Sequence, residues 1–187
     1  MSSTRSVSPT SPDRDPRRED QSIRQLVGFR LDDADYAIAI TTIREIILMK
    51  PITRLPQVPP SIEGLINLRG TVIPIVNLRK RFGLDSRPFD DETRTIVVTV
   101  HDKTIGCIVD EVTQVIRVSS DQVQPVPIAM TAVAKRYIAG LARLDDRLVI
   151  ILDIEKLFGP DEMKLDPSSI PHTVATAFPT SPTESGA

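Results

Sequence analysis

The amino-acid sequence predicts an all-β protein made of two small β-barrels packed side by side. Ile, Val and Leu supply the apolar residues, aromatic residues make up 4% of the chain and Trp is absent. A core of this kind favours strands over helices. The apolar residues fall in short runs that are separated by turn-forming Asp, Gly and Pro, as between the strands of a β domain. The chain also repeats itself internally, which indicates two copies of one β unit.

The composition limits the number of domains and the kinds of partner that we expect for this chain. A chain of 187 residues that is 40% hydrophobic can form one ordinary domain or two small ones. The net charge of -2, with both signs interspersed, gives no electrostatic footprint for nucleic acid or for an acidic membrane surface. The one cysteine, Cys107, cannot form an internal disulfide. Signal-peptide and membrane-span patterns are missing, so we expect a cytoplasmic protein without direct membrane insertion.

Both ends of the chain differ in composition from the middle. Residues 1–22 and 166–187 are dominated by Ser, Thr, Pro and charged residues. Such segments bury too little apolar surface to offset the entropy of ordering. We therefore predict two disordered tails around an ordered body at residues 23–165.

The first part of the body predicts a β-hairpin. Residues 26–31 form a strand, residues 32–35 a turn rich in Asp, and residues 36–40 the return strand. Residues 43–47 follow as either a helical turn or another strand.

The next part predicts a strand and a short helix. Residues 72–76 are apolar and strand-like, but Pro74 donates no ladder hydrogen bond, so it implies an edge strand or a bulge. Residues 78–82 predict a short helix that Gly83 ends.

Residues 62–83 recur at residues 138–159, an offset of 138 − 62 = 76. Eight of the 22 positions are identical without a gap: Ile62/Ile138, Gly64/Gly140, Leu65/Leu141, Leu68/Leu144, Ile75/Ile151, Lys80/Lys156, Phe82/Phe158 and Gly83/Gly159. Both copies therefore predict two strands followed by a short helix.

The preceding residues also repeat, at an offset of 102 − 33 = 69, with Ile43 opposite Val112 and Ile47 opposite Ile116. The duplication predicts one barrel at about residues 23–90 and a second at about residues 91–165. Closing each barrel would remove exposed sheet edges. The alternative is one larger β-sandwich with chance similarity between its halves.

A search for catalytic chemistry finds little. His101 and His172 have no second ligand at metal spacing. Cys107 lies in an apolar stretch, where a buried cysteine behaves as a small hydrophobe, and the adjacent carboxylates Asp110 and Glu111 are typical of a solvated turn. Nucleophile elbows and phosphate-binding loops are missing. We expect no enzymatic activity, no metal and no cofactor.

One polar motif interrupts two apolar runs, at residues 67–70. It can be a plain hairpin turn in which Gly70 supplies a positive φ. It can also be functional, with Arg69 held by a carboxylate and presenting part of a binding surface. Glu45 is the candidate partner, because it lies on an otherwise apolar segment.

These motifs together resemble the CheW family of chemotaxis coupling proteins. The resemblance covers about residues 23–165 in the same order. It is carried by Ile-Arg-Glu-Ile at 43–46, Asn-Leu-Arg-Gly at 67–70, Ile-Pro-Ile-Val-Asn-Leu-Arg at 73–79 and Gly-Cys-Ile-Val-Asp at 106–110.

The resemblance implies two SH3-like five-stranded barrels with a hydrophobic seam between them. It also implies an adaptor, recruited to membrane-associated receptor arrays, that bridges the cytoplasmic tips of chemoreceptors to a CheA-type histidine kinase. The kinase's regulatory domain is itself CheW-like, so pairing between pseudo-equivalent barrels is expected. The kinase-binding residues stay unassigned. The receptor-binding residues implied here are Ile43, Glu45, Ile46, Asn67, Arg69, Gly70 and Val72.

Three alternatives stay open. The first is a coupler for a CheA-like kinase that controls surface motility, development or second-messenger synthesis. The second is a small β-barrel enzyme, which would show a closed pocket with convergent polar groups. The third is a nucleic-acid-binding barrel, which the scarcity of aromatic residues disfavours.

Overall fold

The computed structural model describes residues 23–127, 136–144 and 146–159. The tails that we predict to be disordered lie outside the described residues. Within the described part the strands are β1 (Arg24–Leu31), β2 (Ala34–Ala39), β3 (Ile43–Leu48), β4 (Ile62–Leu68), β5 (Thr71–Asn77), β6 (Arg94–Val100), β7 (Lys103–Val109), β8 (Glu111–Val118), β9 (Val123–Gln124), β10 (Ile138–Leu144) and β11 (Arg147–Leu152). The helical turns are α1 (Leu78–Arg81), α2 (Ile154–Leu157) and the 3₁₀ turns Ile40–Thr42 and Ser120–Gln122.

The strands form two sheets. Barrel 1 has the strand order β3-β6-β7-β5-β4, and barrel 2 has the order β8-β1-β2-β11-β10, extended by the two-residue strand β9. Most pairs are antiparallel, and each barrel has one parallel pair, β5 with β7 and β11 with β2. The predicted all-β class, with two SH3-like barrels side by side and short helices, is confirmed.

The strand order corrects the barrel boundary predicted near residue 90. Barrel 1 takes every strand from β3 to β7, whereas barrel 2 takes the β1–β2 hairpin together with β8 to β11. The chain crosses between barrels after Ala39 and again at Asp110. A hairpin needs at least two loop residues to reverse the chain. Because Asp110 alone separates β7 from β8, β8 continues into the other sheet.

The internal repeat extends to the pairing register. In barrel 1, Ile75 pairs with Gly106, and in barrel 2, Ile151 pairs with Ala37. These pairs are equivalent, since 151 − 75 = 76 and 106 − 37 = 69. The bulge in β4 between Ile62 and Gly64 likewise recurs in β10. Each barrel is thus built in the same way, with the N-terminal hairpins of the two halves exchanged.

A large apolar cluster joins the barrels. Each barrel has a small core of its own, but a third cluster draws buried side chains from both sheets and from α2, including Phe29, Val98, Cys107 and Leu157. A fully buried side chain of this size contributes about 1.5–3 kcal/mol. The predicted hydrophobic seam is therefore present, and the two barrels stabilise each other.

Four aromatic rings form a continuous stack beside this seam. Neighbouring centroids are 5.8 Å apart for Phe29 and Tyr36, 5.7 Å for Tyr36 and Phe82, and 5.7 Å for Phe82 and Tyr137. The rings come from β1, β2, the end of α1 and the start of β10, so the stack links segments of both barrels. Burial is the main cause of the raised pKa of Tyr36.

The backbone shows the secondary structure of residues 43–47 and the end of the first helix. Residues 43–47 lie in strand β3, and the helical character falls just before it, in the 3₁₀ turn Ile40–Thr42. The helix α1 ends as predicted, with Gly83 at φ 73°.

The expectation that Pro74 marks an edge strand or a bulge is wrong. Strand β5 lies between β7 and β4, and the register shift of the β4–β5 pair falls between Ile62 and Gly64 rather than at Pro74. Pro74 is tolerated because the pairing of β5 with β7 begins only at Ile75. Pro74, which precedes Ile75 and has no backbone N–H, therefore does not need to donate a hydrogen bond to β7.

Cys107 provides a probe of this core. Its side chain is buried at the seam, and burial raises the pKa of its thiol. We expect thiol reagents to label Cys107 only through opening of the fold, because the reactive thiolate is suppressed. The labelling rate should rise with denaturant in parallel with the unfolding rate. Rapid labelling of the native protein, as fast as that of a free thiol, would contradict this placement.

Candidate functional site

The predicted motif at residues 67–70 forms the tight turn between β4 and β5. Arg69 and Gly70 are its two central residues, with φ angles of 53° and 86°. Two positive φ angles define a type I′ hairpin turn, which normally carries Asn-Gly. The Asn67 side-chain oxygen accepts a hydrogen bond from the Gly70 amide at 2.7 Å. Arg69 thus occupies a left-handed conformation that costs a non-glycine residue about 1 kcal/mol or more.

Arg69 reaches from this turn to strand β3. Its Nη2 lies 2.9 Å from Oε2 of Glu45, so the predicted partnership of these two residues is confirmed. The Arg69 side chain is 79% exposed, whereas that of Glu45 is 18% exposed. An ion pair with one partner this exposed contributes at most about 1 kcal/mol to folding. The pair therefore fixes where a cation is presented rather than holding the barrel together.

Apolar residues lie near Glu45 and Arg69 in the sequence. Ile46 and Val72 are exposed, whereas Ile43 is partly buried and packs against the seam between the barrels. Ile43 therefore supports the fold at β3, and its side chain offers a binding partner less exposed surface than the sequence predicts.

Leu48 was missed by the sequence reasoning. It is 65% exposed, and the side chains of β3 alternate, with Arg44, Ile46 and Leu48 exposed. This period-two pattern on an edge strand could have identified it. We define the barrel 1 surface as Glu45, Ile46, Leu48, Arg69 and Val72.

Barrel 2 carries a partial counterpart of this surface. At the repeat offsets, Ile46 corresponds to Val115 and Val72 to Leu148, and both counterparts are exposed. Glu45 corresponds to Gln114, which has no charge. The counterpart of Arg69 is residue 145, outside the described residues. The apolar pair is thus duplicated, but the acidic residue occurs on barrel 1 only.

Two further features of the described residues concern the binding of metals and small molecules. Among the described residues, no group of three or more His, Cys, Asp or Glu is placed to hold a metal ion; His172 lies outside them. A cleft of about 280 Å³ in barrel 2 includes Asp35, Gln114 and Arg147, and a mainly apolar one of about 600 Å³ borders α2. No helix in the described ranges is long and apolar enough to cross a membrane.

Comparison with known proteins identifies the family. The sequence matches the CheW-like domain over residues 25–162, well over half of the chain. The chain belongs to the CheW family. The chemotaxis protein CheW of Klebsiella aerogenes is 35% identical over 142 residues, which cover 76% of this chain and 86% of that protein. The CheW of Bacillus subtilis is 35% identical over 129 residues, with 69% and 83% covered.

A solved CheW structure has the same fold. The scaffolding protein TtCheW from Thermoanaerobacter tengcongensis superposes with a TM-score of 0.68 at 34% identity, over 74% of this chain and 94% of that one. These relatives place the chain among the chemotaxis adaptor and scaffold proteins of the CheW family. The barrel 1 surface is accordingly considered as a site for binding another protein.

Proposed function

We propose that this chain is a non-enzymatic adaptor that couples chemoreceptors to a CheA-type histidine kinase, and that the barrel 1 surface binds the receptor. The observation that carries this proposal is the exposed Arg69, held in a left-handed conformation and paired with Glu45. The names of the relatives supply the chemotaxis context.

The conformation of Arg69 argues for a role beyond folding. Asn at this position would satisfy the same turn with less strain, and the ion pair with Glu45 returns at most about 1 kcal/mol. A strained residue that the fold does not need is a reason to look for a contact outside the chain. A cation fixed at a tight turn, with Val72 exposed on β5 and Ile46 exposed on β3, next in sequence to Glu45, is suited to that contact.

The chemistry of the surface fits a helical partner. In an adaptor interface, apolar side chains supply the buried area and charged groups set the register. Receptor tips, as the family resemblance implies, are helical hairpins, and an amphipathic helix docks through apolar residues spaced one turn apart. We propose that Ile46, Leu48 and Val72 take up the apolar face of such a helix, while Arg69 contacts an acceptor on it. Binding there would recruit the chain to receptor arrays at the membrane.

A matched pair of substitutions tests the proposal. In a capture assay, an immobilised receptor cytoplasmic fragment retains purified kinase when this chain is added. Val72→Asp should weaken receptor binding by about 10-fold or more, because a carboxylate would be desolvated in the contact. Leu148→Asp, at the equivalent and similarly exposed position of barrel 2, should leave receptor binding unchanged.

Two results would contradict this function. If wild-type chain retains no kinase on the receptor fragment, the coupling role is wrong. If coupling is intact but Val72→Asp and Leu148→Asp weaken receptor binding equally, the receptor site does not lie on barrel 1.

A further inference from the structure

A small pocket of about 280 Å³ opens where β3 ends, just beyond Leu48. Its lining consists of the apolar residues Met49, Ile52 and Phe89 and the charged residues Lys50, Arg54 and Glu63. Met49 and Ile52 pack against the core of barrel 1, and the Thr95 hydroxyl lies 3.4 Å from the Met49 sulfur. The floor of the pocket is therefore fixed by the fold.

Phe89 forms an exposed wall of this pocket. In the described part of the chain its side chain is 46% exposed, whereas every other phenylalanine or tyrosine is buried or partly buried. Burying an aromatic side chain is strongly favourable, and exposed aromatic residues are enriched at the centres of binding surfaces. The exposure of Phe89 is therefore a reason to look for a partner.

The turn that follows Phe89 is held by hydrogen bonds. Oδ1 of Asp90 accepts from the amides of Glu92 and Thr93 at 3.1 and 3.0 Å, and the Asp90 amide donates to the Thr93 hydroxyl at 3.0 Å. Thr93 is 5% exposed, which ties this turn to the barrel. Phe89 is thus attached to a fixed turn, so that binding it costs little ordering entropy.

The charge that the pocket lining offers to a partner is positive. Glu63 is only 13% exposed, and its Oε1 already accepts from Lys80 Nζ at 2.8 Å and from Asn77 Nδ2 at 2.9 Å. Lys50 and Arg54 are both exposed. A partner segment that combines an apolar side chain with carboxylates therefore complements this lining.

The pocket continues the barrel 1 surface along β3. Glu45 and Met49 are four residues apart, which corresponds to about 13 Å in a strand. The volume of the pocket is slightly below the range of about 300–1,000 Å³ that is usual for small-molecule sites, and it suits one large side chain. We propose that the pocket is a second anchor point of the receptor site, which takes an apolar side chain flanked by acidic residues from the docked helix.

This inference rests on the proposed receptor binding and adds a spacing to it. An α-helix rises 1.5 Å per residue, so 13 Å corresponds to about nine residues. A receptor helix that runs along β3 would therefore carry its anchor about nine residues from the side chain that contacts Arg69.

A single tryptophan tests the pocket, because the natural chain contains none. In full-length Phe89→Trp, acrylamide quenching of the indole should fall by about half or more when a receptor cytoplasmic fragment without tryptophan is bound, since the contact excludes solvent. Leu148→Trp is the control, at a position of barrel 2 that is 54% exposed. Its quenching should not change.

The charge of the partner is tested separately. Lys50→Glu should weaken binding of the receptor fragment by about 3-fold or more at low salt, and the loss should shrink as salt is raised. Arg117→Glu, the same charge change at an exposed position of barrel 2, should bind as wild type does. Unchanged or tighter binding by Lys50→Glu would overturn the acidic character of the partner.

Three further results would overturn the anchor point. One is receptor binding that stays sensitive to Val72→Asp while the Phe89→Trp indole remains as accessible as in the free chain; the proposed function would then survive without the pocket. Another is equal shielding of the indoles in Phe89→Trp and Leu148→Trp. The third is a Phe89→Trp indole already shielded in the free chain, because the chain itself, or a second copy if shielding rises with concentration, would then occupy the pocket. If the wild-type chain does not bind the fragment at all, the proposed function fails and the anchor point fails with it.

Discussion

Replacing Asp110 with alanine is expected to lower the free energy of unfolding by about 3–5 kcal/mol. Asp110 lies at the second crossing between the barrels, and its Oδ2 accepts a hydrogen bond from Arg79 at 2.5 Å and one from the Asp32 amide at 2.8 Å. The side chains of Arg79 and Asp110 are only 9% and 11% exposed. Removing the carboxylate leaves the guanidinium buried without its main partner.

In Asp110→Ala, Arg79 cannot avoid being a buried, underpaired cation by losing its proton. Burial by itself lowers the pKa of Arg79, but hydrogen bonds and charge from Asp110 and then Asp32 outweigh it and raise the pKa. A guanidinium stays charged across the accessible pH range in any case. The variant would therefore bury an underpaired cation, which accounts for the size of the expected loss.

Asp32→Asn is the matched control for Asp110→Ala. Asp32 also contacts Arg79, at 3.1 Å, but its side chain is 57% exposed, and Asn tolerates its φ of 56°. We expect a loss below about 1 kcal/mol. Urea unfolding of the two variants and of Arg79→Met/Asp110→Ala gives the comparison, and the double variant should recover part of the loss. Equal losses for the two single variants would show that Arg79 does not depend on Asp110.

The second large effect concerns Arg69. Substitution of Arg69 by asparagine should weaken receptor binding by about 30-fold or more, the loss typical of a central interface residue. The fold should be unchanged or more stable by about 0.5–1 kcal/mol, because Asn-Gly is the preferred pair for this turn. Loss of binding together with a preserved or raised melting temperature separates recognition from folding.

Arg30→Asn is the control for Arg69→Asn. Arg30 is also exposed and forms a 3.0 Å ion pair with Glu111, but it lies on β1 of barrel 2 and belongs to no predicted site. The Arg30→Asn substitution should leave receptor binding unaltered. Receptor binding at wild-type strength in both Arg69→Asn and Glu45→Gln would remove the charged pair from the site.

Much of the candidate site can be predicted from sequence because its parts are local. Residues 67–70 specify a turn by their own backbone preferences, and Glu45 is conspicuous as a lone carboxylate on an apolar segment. The contact between Glu45 and Arg69 could be predicted because a carboxylate on an apolar segment needs a charged partner. The position of Ile43 at the seam was not predictable, since an apolar residue on an edge strand can face either a core or solvent.

The sequence by itself determined the all-β class, the duplication, the short helices that end in Phe-Gly and the polar turn at residues 67–70. All of these depend on local patterns or on similarity between two stretches of chain. Only the tertiary structure decided which barrel each hairpin joins and where Pro74 lies in its sheet. The physical reason is that the two halves offer nearly equivalent strands for pairing. The choice between them depends on the crossings at Ala39 and Asp110 and on burial across the seam, which no local pattern records.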